Sequence, residues 1–559
     1  MLQIARRLNA VLSRLLGLRA APALLVTVLV LAAFLPAFTT LPPVDRDEAR
    51  FAQATKQMMV SGDYVDIRFQ DRTRYKKPVG IYWAQAAAVA AVGHPGDRTI
   101  WHYRLPSLIA AVLAAVLTLR LATLFGGAAA GLAAGGLMAG IFMLGAEAHL
   151  AKTDAVLLAA TVAVQLALAR LYRDARAAGF RTEEIGPLGW GRFALFWGAL
   201  AVAALVKGPI GPGIVALTVL LLALGHRRVG WLRALRPGWG LGLLVLLVAP
   251  WFVAITLKAG MGFWDEALGR DLMNKLAGAQ ESHGAPPGSY LAMLWITFQP
   301  AAVALLLALP ALWRARRSSG VIFAAAWVVP GWIGFEAAPT KLMHYVLPFY
   351  PALALAIGLV WAETVAAAPK LWRRIGFWAL GALPVLVLLA AGGYAISQGA
   401  WNALPFSLIA LVLAGAGLLL AATALRAQLP HAAILGLWLL GAGFLSGLFP
   451  VAARLPALWP ARQITALIPP DPACGQITLY ATGYEEPSLV FLAPGPVKWA
   501  TPDAAAQALG TDRCTAAVVP SADAAPLSAA GAVERGRVNG INLGTGKPVA
   551  LAVFGPANK

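Results

Sequence analysis

Runs of about 20 apolar residues recur along this chain, and that spacing decides what it can become. A run of that length is enough to cross the hydrocarbon core of a bilayer as a helix. Such runs occupy residues 21–41, 105–125, 126–146, 155–172, 193–206, 210–224, 241–257 and 290–312, then 321–336, 345–365, 375–396, 406–425 and 432–451. They predict about thirteen transmembrane helices, the two shortest flanking Lys207. Composition agrees, since 59% of the 559 residues are apolar and 13% charged, with a mean hydropathy of +0.71. A soluble domain carries roughly 25% charge, so a water-soluble enzyme of this size is excluded. Two cysteines also exclude a disulfide-rich scaffold and a thiolate metal cluster.

The net charge of +20 invites a nucleic-acid partner until its distribution is read. Arg6, Arg7, Arg14 and Arg19 precede the first run, which is too long for a cleaved signal peptide and reads as a signal anchor with a cytoplasmic N-terminus. Every second loop thereafter is short and basic: Arg173, Arg176 and Arg181; Arg227, Arg228, Arg233 and Arg236; Arg314, Arg316 and Arg317; Lys370, Arg373 and Arg374; Arg426. That alternation is the positive-inside pattern, and it accounts for much of the excess charge without any nucleic acid. An odd number of spans puts the C-terminus outside. The expected location is a bacterial inner membrane, with the polar loops on the periplasmic side.

Two outer pieces remain: the loop at 42–103 and the tail from about residue 456. We divide the chain accordingly into a membrane domain, 1–455, and a periplasmic domain, 456–559. Apolar runs at 477–481, 489–492, 516–519 and 549–554, with a helical stretch at 502–509, predict a small α/β fold for the tail. It holds Cys474 and Cys514, which in an oxidising periplasm are either a disulfide or two buried thiols.

Polar residues concentrate in the outer loops. Asp47, Glu48 and Arg50 open a helix whose Phe51, Thr55, Met58 and Met59 form one stripe, suited to lying on a membrane surface. Acids at a helix start complement its dipole, but that does not explain two carboxylates and an arginine together at the exit of a span. Lys76-Lys77-Pro78 leads into a second interfacial helix carrying Tyr82 and Trp83. A lysine beside the open N–H groups of a helix start suits an anion, the alternative being contact with lipid head groups. Lys152-Thr153-Asp154, Lys207-Gly208-Pro209, Glu281-Ser282-His283-Gly284 and Lys341 to Pro348 complete the outer set. Singly, each has an ordinary explanation as a helix cap, a snorkelling lysine or a solvated histidine. Together they place acids, lysines and histidines on one face of the membrane, as an amphiphilic phosphate with its tail in lipid would require.

With these motifs in this order, the chain resembles the polyprenyl-phosphate-sugar glycosyltransferases of the type C membrane fold. That group includes protein O-mannosyltransferases and the bacterial aminoarabinose transferase of lipid A. The resemblance rests on Asp47-Glu48-Ala49-Arg50, Gly62-Asp63-Tyr64, Lys76-Lys77-Pro78, Thr153-Asp154-Ala155, Leu205 to Pro209, Pro250-Trp251-Phe252, Glu281 to Gly284 and Lys341 to Pro348, and covers roughly residues 20–365. It implies that Asp47 is the catalytic carboxylate and Asp154 a second acid on the same cavity. It implies that Lys77, Arg50 and Tyr345 contact the lipid phosphate, with Lys207, Lys341 and His344 lining the site and Glu48, Tyr82 and His283 in the substrate-binding set. Bacterial relatives often carry Glu before the Lys-Pro pair, and that Glu can hold a metal with the later histidine; here the position is Lys76. No cofactor is therefore expected, and a metal on His283 is doubtful.

The implied reaction is inverting transfer of a sugar from a polyprenyl (undecaprenyl) phosphate to lipid A or another envelope glycolipid, by a monomer that contacts membrane lipids. A protein acceptor is the alternative within the superfamily. A lipid-linked sugar transporter or flippase would instead show internal repeats and charges near mid-membrane. The spans carry very few charges, and Lys207-Gly208-Pro209 lies toward an outer end.

Overall fold

Apolar segments in lipid must satisfy their own backbone hydrogen bonds, so each long run closes into a helix. The computed structural model describes residues 1–267, 269, 284–367 and 371–556. Among these, nine helices are long and apolar enough to cross a membrane: Ile100–Met138, Asp154–Ala177, Trp190–Lys207, Pro237–Ala259, Ser319–Ala337, Met343–Ala366, Leu371–Ser397, Trp401–Arg426 and Pro430–Ala453. A tenth span results if Ser289–Thr297 and Ala301–Arg314, bent by 115°, are counted as one. The chain is a multi-pass membrane protein.

The difference from thirteen has identifiable sources. Ile100–Met138 joins two expected spans into one 39-residue helix, broken at Gly127, whose φ of 76° and ψ of −178° interrupt the helical ladder. A side chain rarely adopts that φ, so glycine marks the bend. Ala21–Phe34 and Ile210–His226 are helices, but shorter than a full crossing, with 14 and 17 residues.

Asp154–Ala177 is the most enclosed span, 89% of its apolar window lying inside the protein. It packs between Ile100–Met138 and Trp190–Lys207. Its first residue, Asp154, therefore stands at the centre of one end of the bundle. The loops carrying Lys207 and His344 converge on the same end.

The first outer loop folds into two helices, Asp47–Ser61 and Gly80–Val92, with a two-stranded hairpin, Arg68–Phe69 and Arg72–Thr73, between them. Both expected helices form, the second starting two residues after Pro78. The Phe51, Thr55, Met58 and Met59 stripe is covered by protein, each of these residues being buried. Phe51 and Met58 join Tyr82, Val79 and Trp251 in one cluster, while Met59 packs with Phe491 of the tail.

That tail is built as expected around a small sheet. Its five strands run in the order Val497–Trp499, Thr478–Ala481, Thr515–Pro520, Lys547–Gly555 and Val533–Asn542. The first three are mutually parallel and the last two antiparallel, and Pro502–Thr511 packs on one face. The run at 489–492 is helical, within Pro487–Leu492. Cys474 and Cys514 are joined by a disulfide. The tail rests on the first outer loop: Gln70 Nε2 donates to the Val497 carbonyl at 2.8 Å, and Lys56 Nζ to the Phe491 carbonyl at 3.3 Å.

Candidate active site

The loop that presents Asp47 is held by a buried ion pair. All five N–H donors of Arg104 are engaged. Nε and Nη2 bind Glu48 at 2.7 and 2.9 Å, while Nη1 and Nη2 reach the carbonyls of Phe38, Leu41 and Pro42 at 2.7–3.2 Å. Glu48 also accepts from the amides of Val44 and Ala151, each at 2.8 Å. Three segments distant in sequence are thereby tied at one point. Glu48 is 2% exposed and absent from the cavity wall, so its place is beneath the site rather than against a substrate.

Above it opens a cavity of about 570 Å³. One side is charged, with Asp47, Arg50, Arg74, Lys76, Lys77, Lys152, Asp154 and Lys207 at its surface. The other is apolar and aromatic, including Phe252, Phe263, Trp264 and Phe335. Six cations against two carboxylates make the wall strongly positive. A close approach sets part of this geometry: a Cβ on Gly80 would lie 2.8 Å from the Leu205 carbonyl. Only a glycine lets the Lys77 segment come so near the end of the helix that carries Lys207.

Asp154 does not stand open as a second acid. Its Oδ1 accepts from Lys207 Nζ at 2.5 Å, with His344 Nε2 at 3.8 Å, and its Oδ2 lies 3.8 Å from Lys152 Nζ. Lys152 Nζ pairs with Glu147 at 2.9 Å and reaches His344 Nδ1 at 3.5 Å. Lys207 also lies 5.2 Å from the Tyr345 ring centroid. The result is an alternating cluster of two carboxylates, two lysines and a histidine. Burial would lower the Lys152 pKa, but Glu147 and Asp154 outweigh it and hold the amine above the usual lysine range, so it stays charged.

Asp47 also lines the cavity and is exposed. Burial among protein atoms pushes its pKa up, but the charges of Arg74, Lys152, His344 and Arg50 pull harder, and the net shift is downward. Asp47 is therefore a carboxylate at neutral pH, turned toward an electropositive wall.

The structure brings Asp47, Arg50, Lys77, Asp154, Lys207, His344 and Tyr345 to this one cavity. Two other residues of the expected set lie elsewhere. Tyr82 is fully buried, its ring 5.4 Å from that of Phe51, because its face of the helix turns inward. Lys341 Nζ donates to the carbonyls of Glu336 and Ala338 at 2.8 and 2.6 Å, closing the end of Ser319–Ala337. His283, with Glu281, lies outside the described residues. Arg74, Lys152 and Glu147 belong to the site without having been singled out. Lys152 stood in the outer set already noted, Arg74 lies two residues before Lys76, and Glu147 is a lone acid closing an apolar run, the kind of intramembrane charge that marks a function.

Among the described residues, no group of three or more His, Cys, Asp or Glu side chains is placed to hold a metal ion.

The site is an electropositive cavity at one end of a helical bundle, carrying an aspartate and walled in part by aromatics. No family model matches the chain. The fold is that of ArnT from Cupriavidus metallidurans: the undecaprenyl-phosphate-bound structure superposes with a TM-score of 0.74 at 19% identity, covering 96% of this chain and 98% of that one. The apo form of the same protein gives 0.72 at 20% identity, covering 95% and 97%. In sequence, the chain is similar to the undecaprenyl phosphate-α-4-amino-4-deoxy-L-arabinose arabinosyl transferase of Pseudomonas aeruginosa strain LESB58, 28% identical over 377 residues. That match takes in 66% of this chain and 64% of the relative, just under two thirds of its length.

Proposed function

We propose that this protein is an inverting glycosyltransferase that moves a sugar from polyprenyl phosphate to lipid A or another periplasmic glycolipid. The observation that carries the reading is the cavity itself, where Asp47 faces Arg50, Arg74, Lys77, Lys152 and Lys207 beside an apolar wall. The names of the sequence relatives support a lipid-linked pentose as the class of donor.

In this reading the donor phosphate lies against Lys77, Arg50, Lys207 and Tyr345, with the tail along Phe252, Phe263 and Trp264. The bond from the anomeric carbon to the phosphate oxygen breaks and its electron pair leaves with the polyprenyl phosphate. Fixed cations aimed at that oxygen stabilise the developing charge, so no proton is needed there. The acceptor oxygen attacks from the opposite side and inverts the carbon. A hydroxyl acceptor passes its proton to Asp47, held ionised by its neighbours; a phosphate acceptor is already an anion, and Asp47 then orients the sugar. Asp154 orders Lys207, Lys152 and His344 as a positioning residue. The reaction is proposed to be metal-independent, because Lys76 replaces a carboxylate. The disulfide and the basic inner loops support a periplasmic site in the inner membrane.

The test is transfer by purified protein in nanodiscs from undecaprenyl-phosphate-linked aminoarabinose to lipid A, read by mass spectrometry. Asp47→Asn and Lys77→Ala each bring it to background while leaving the folded, membrane-inserted protein intact. Near-normal transfer by Asp47→Asn refutes the assignment.

A further inference from the structure

A second cleft of about 340 Å³ lies between the hairpin of the first outer loop and the C-terminal sheet. Arg50, Arg74 and Lys76 line both this cleft and the larger cavity, so the two are separated only by a shared row of cations. The rest of its wall differs in kind. Beside Phe69, Pro487 and the ring of Trp499 it offers Arg72 and two carboxylates, Glu266 and Glu485.

Its parts are held in place. Gln70 anchors the hairpin to Val497, at the head of the strand that ends in Trp499. Glu266 accepts from the Tyr75 amide at 3.1 Å and from Thr73 Oγ1 at 3.4 Å. Arg74 is 8% exposed, its guanidinium 4.9 Å from the Phe51 ring, and its Nε is a buried donor with no partner among the described residues. A buried donor left unpaired costs stability unless a ligand completes it. The same guanidinium exerts the largest charge effect on Asp47.

Cations beside an aromatic ring and acceptor carboxylates form a composite surface. Guanidinium groups and lysine suit a phosphate, while an aromatic face and carboxylates suit the ring and the hydroxyl or amino groups of a sugar. We propose that the cleft receives the phosphorylated sugar head group of the acceptor, its phosphate on Arg72, Arg74 and Lys76 and its ring against Trp499, with the C-terminal domain choosing the acceptor. The proposal rests on the transferase reading and assigns its second substrate site.

The experiment uses the full chain in nanodiscs and glucose 1-phosphate as probe, with glucose and inorganic phosphate as controls, measured by calorimetry. Undecaprenyl phosphate binding is measured in parallel. Glucose 1-phosphate is expected to bind more tightly than either control and to bind alongside undecaprenyl phosphate. Trp499→Ala is expected to weaken it about fivefold to tenfold, and Glu485→Gln, at an exposed position, by about twofold or more, without changing undecaprenyl phosphate binding. Equal binding of inorganic phosphate, displacement of the probe by undecaprenyl phosphate, or insensitivity to both variants overturns the cleft assignment alone. Failure of wild-type protein to bind undecaprenyl phosphate overturns the transferase reading beneath it.

Discussion

Replacing Glu48 separates two roles that its neighbour Asp47 makes easy to confuse. Glu48→Gln keeps the size of the side chain but removes the charge opposite Arg104. The guanidinium has 0% exposure and cannot reach water, and its three carbonyl partners do not supply a negative charge. Breaking a buried pair by removing one partner costs about 3–5 kcal/mol, because the remaining charge stays behind. Replacing both with apolar residues of similar volume, as in Glu48→Leu with Arg104→Met, costs less, since no buried charge remains. Three carbonyls and two amides then lose partners, so some loss persists.

The assay is unfolding in mixed dodecylmaltoside–SDS micelles followed by circular dichroism, for wild type, both single variants and the double variant. The expected pattern is two strongly destabilised single variants and a double variant better than their sum by about 2 kcal/mol or more. Undecaprenyl phosphate affinity per folded molecule is expected to stay within about twofold of wild type, less than one lost charged contact would cost. A Glu48→Gln protein as stable as wild type with much weaker lipid affinity refutes the argument and returns Glu48 to the substrate.

Three further outcomes follow from the same geometry. Asp45 is buried beside Ser488, Tyr484 and Glu486, and burial, with repulsion from Glu486, lifts its pKa to about 6. Its folded form favours the proton, so its contribution is complete below about pH 4 and is lost as pH rises through about 6. Asp45→Asn should flatten that slope and add on the order of 2–3 kcal/mol at pH 8, read by thermal unfolding across pH. Gly80→Ala should push the Lys77 segment off Leu205, costing about 1–3 kcal/mol in unfolding free energy and raising KM for the polyprenyl donor. Transfer should persist in excess chelator; loss restored by a divalent ion would contradict the metal-independent proposal.

The helical spans were legible because a bilayer demands long apolar runs, a requirement written locally in the chain. Their division was less so: the break at Gly127 and the 115° bend before Ala301 depend on packing that hydropathy does not encode. The site was legible where a polar residue had no reason to be, as with Asp47, Lys77 and Lys207. It misled where neighbours share a motif but not a direction. Successive helical residues are turned by roughly 100°, so Asp47 faces the cavity while Glu48 faces Arg104. Arg104 borders an expected span, and its partner Glu48 lies 56 residues away, so no local pattern marks the pair. In the tail, Val497–Trp499 is too short to show a pattern, and Val533–Asn542 is mostly exposed and polar, so neither strand stood out.

The charge arrangement also explains why a positive cavity can be folded before any substrate arrives. Lysines desolvated without partners would lose their protons or destabilise the bundle. Glu147 and Asp154 prevent this for Lys152, holding it charged, and Asp154 pairs with Lys207 at the cavity wall. A substrate phosphate then meets cations already dehydrated and fixed, so little reorganisation remains to be done at the moment of transfer. Neutralising Asp154 should therefore act through the lysines. Asp154→Asn is expected to weaken undecaprenyl phosphate binding, since Lys207 loses its ion-pair partner and Lys152 loses one of the two carboxylates that hold it charged. Asp47→Asn should leave that binding profile unchanged while stopping transfer. In the proposed reaction two acids on one cavity divide the work, one holding the cations and one meeting the sugar, and the contrast between a binding defect and a turnover defect is what distinguishes them.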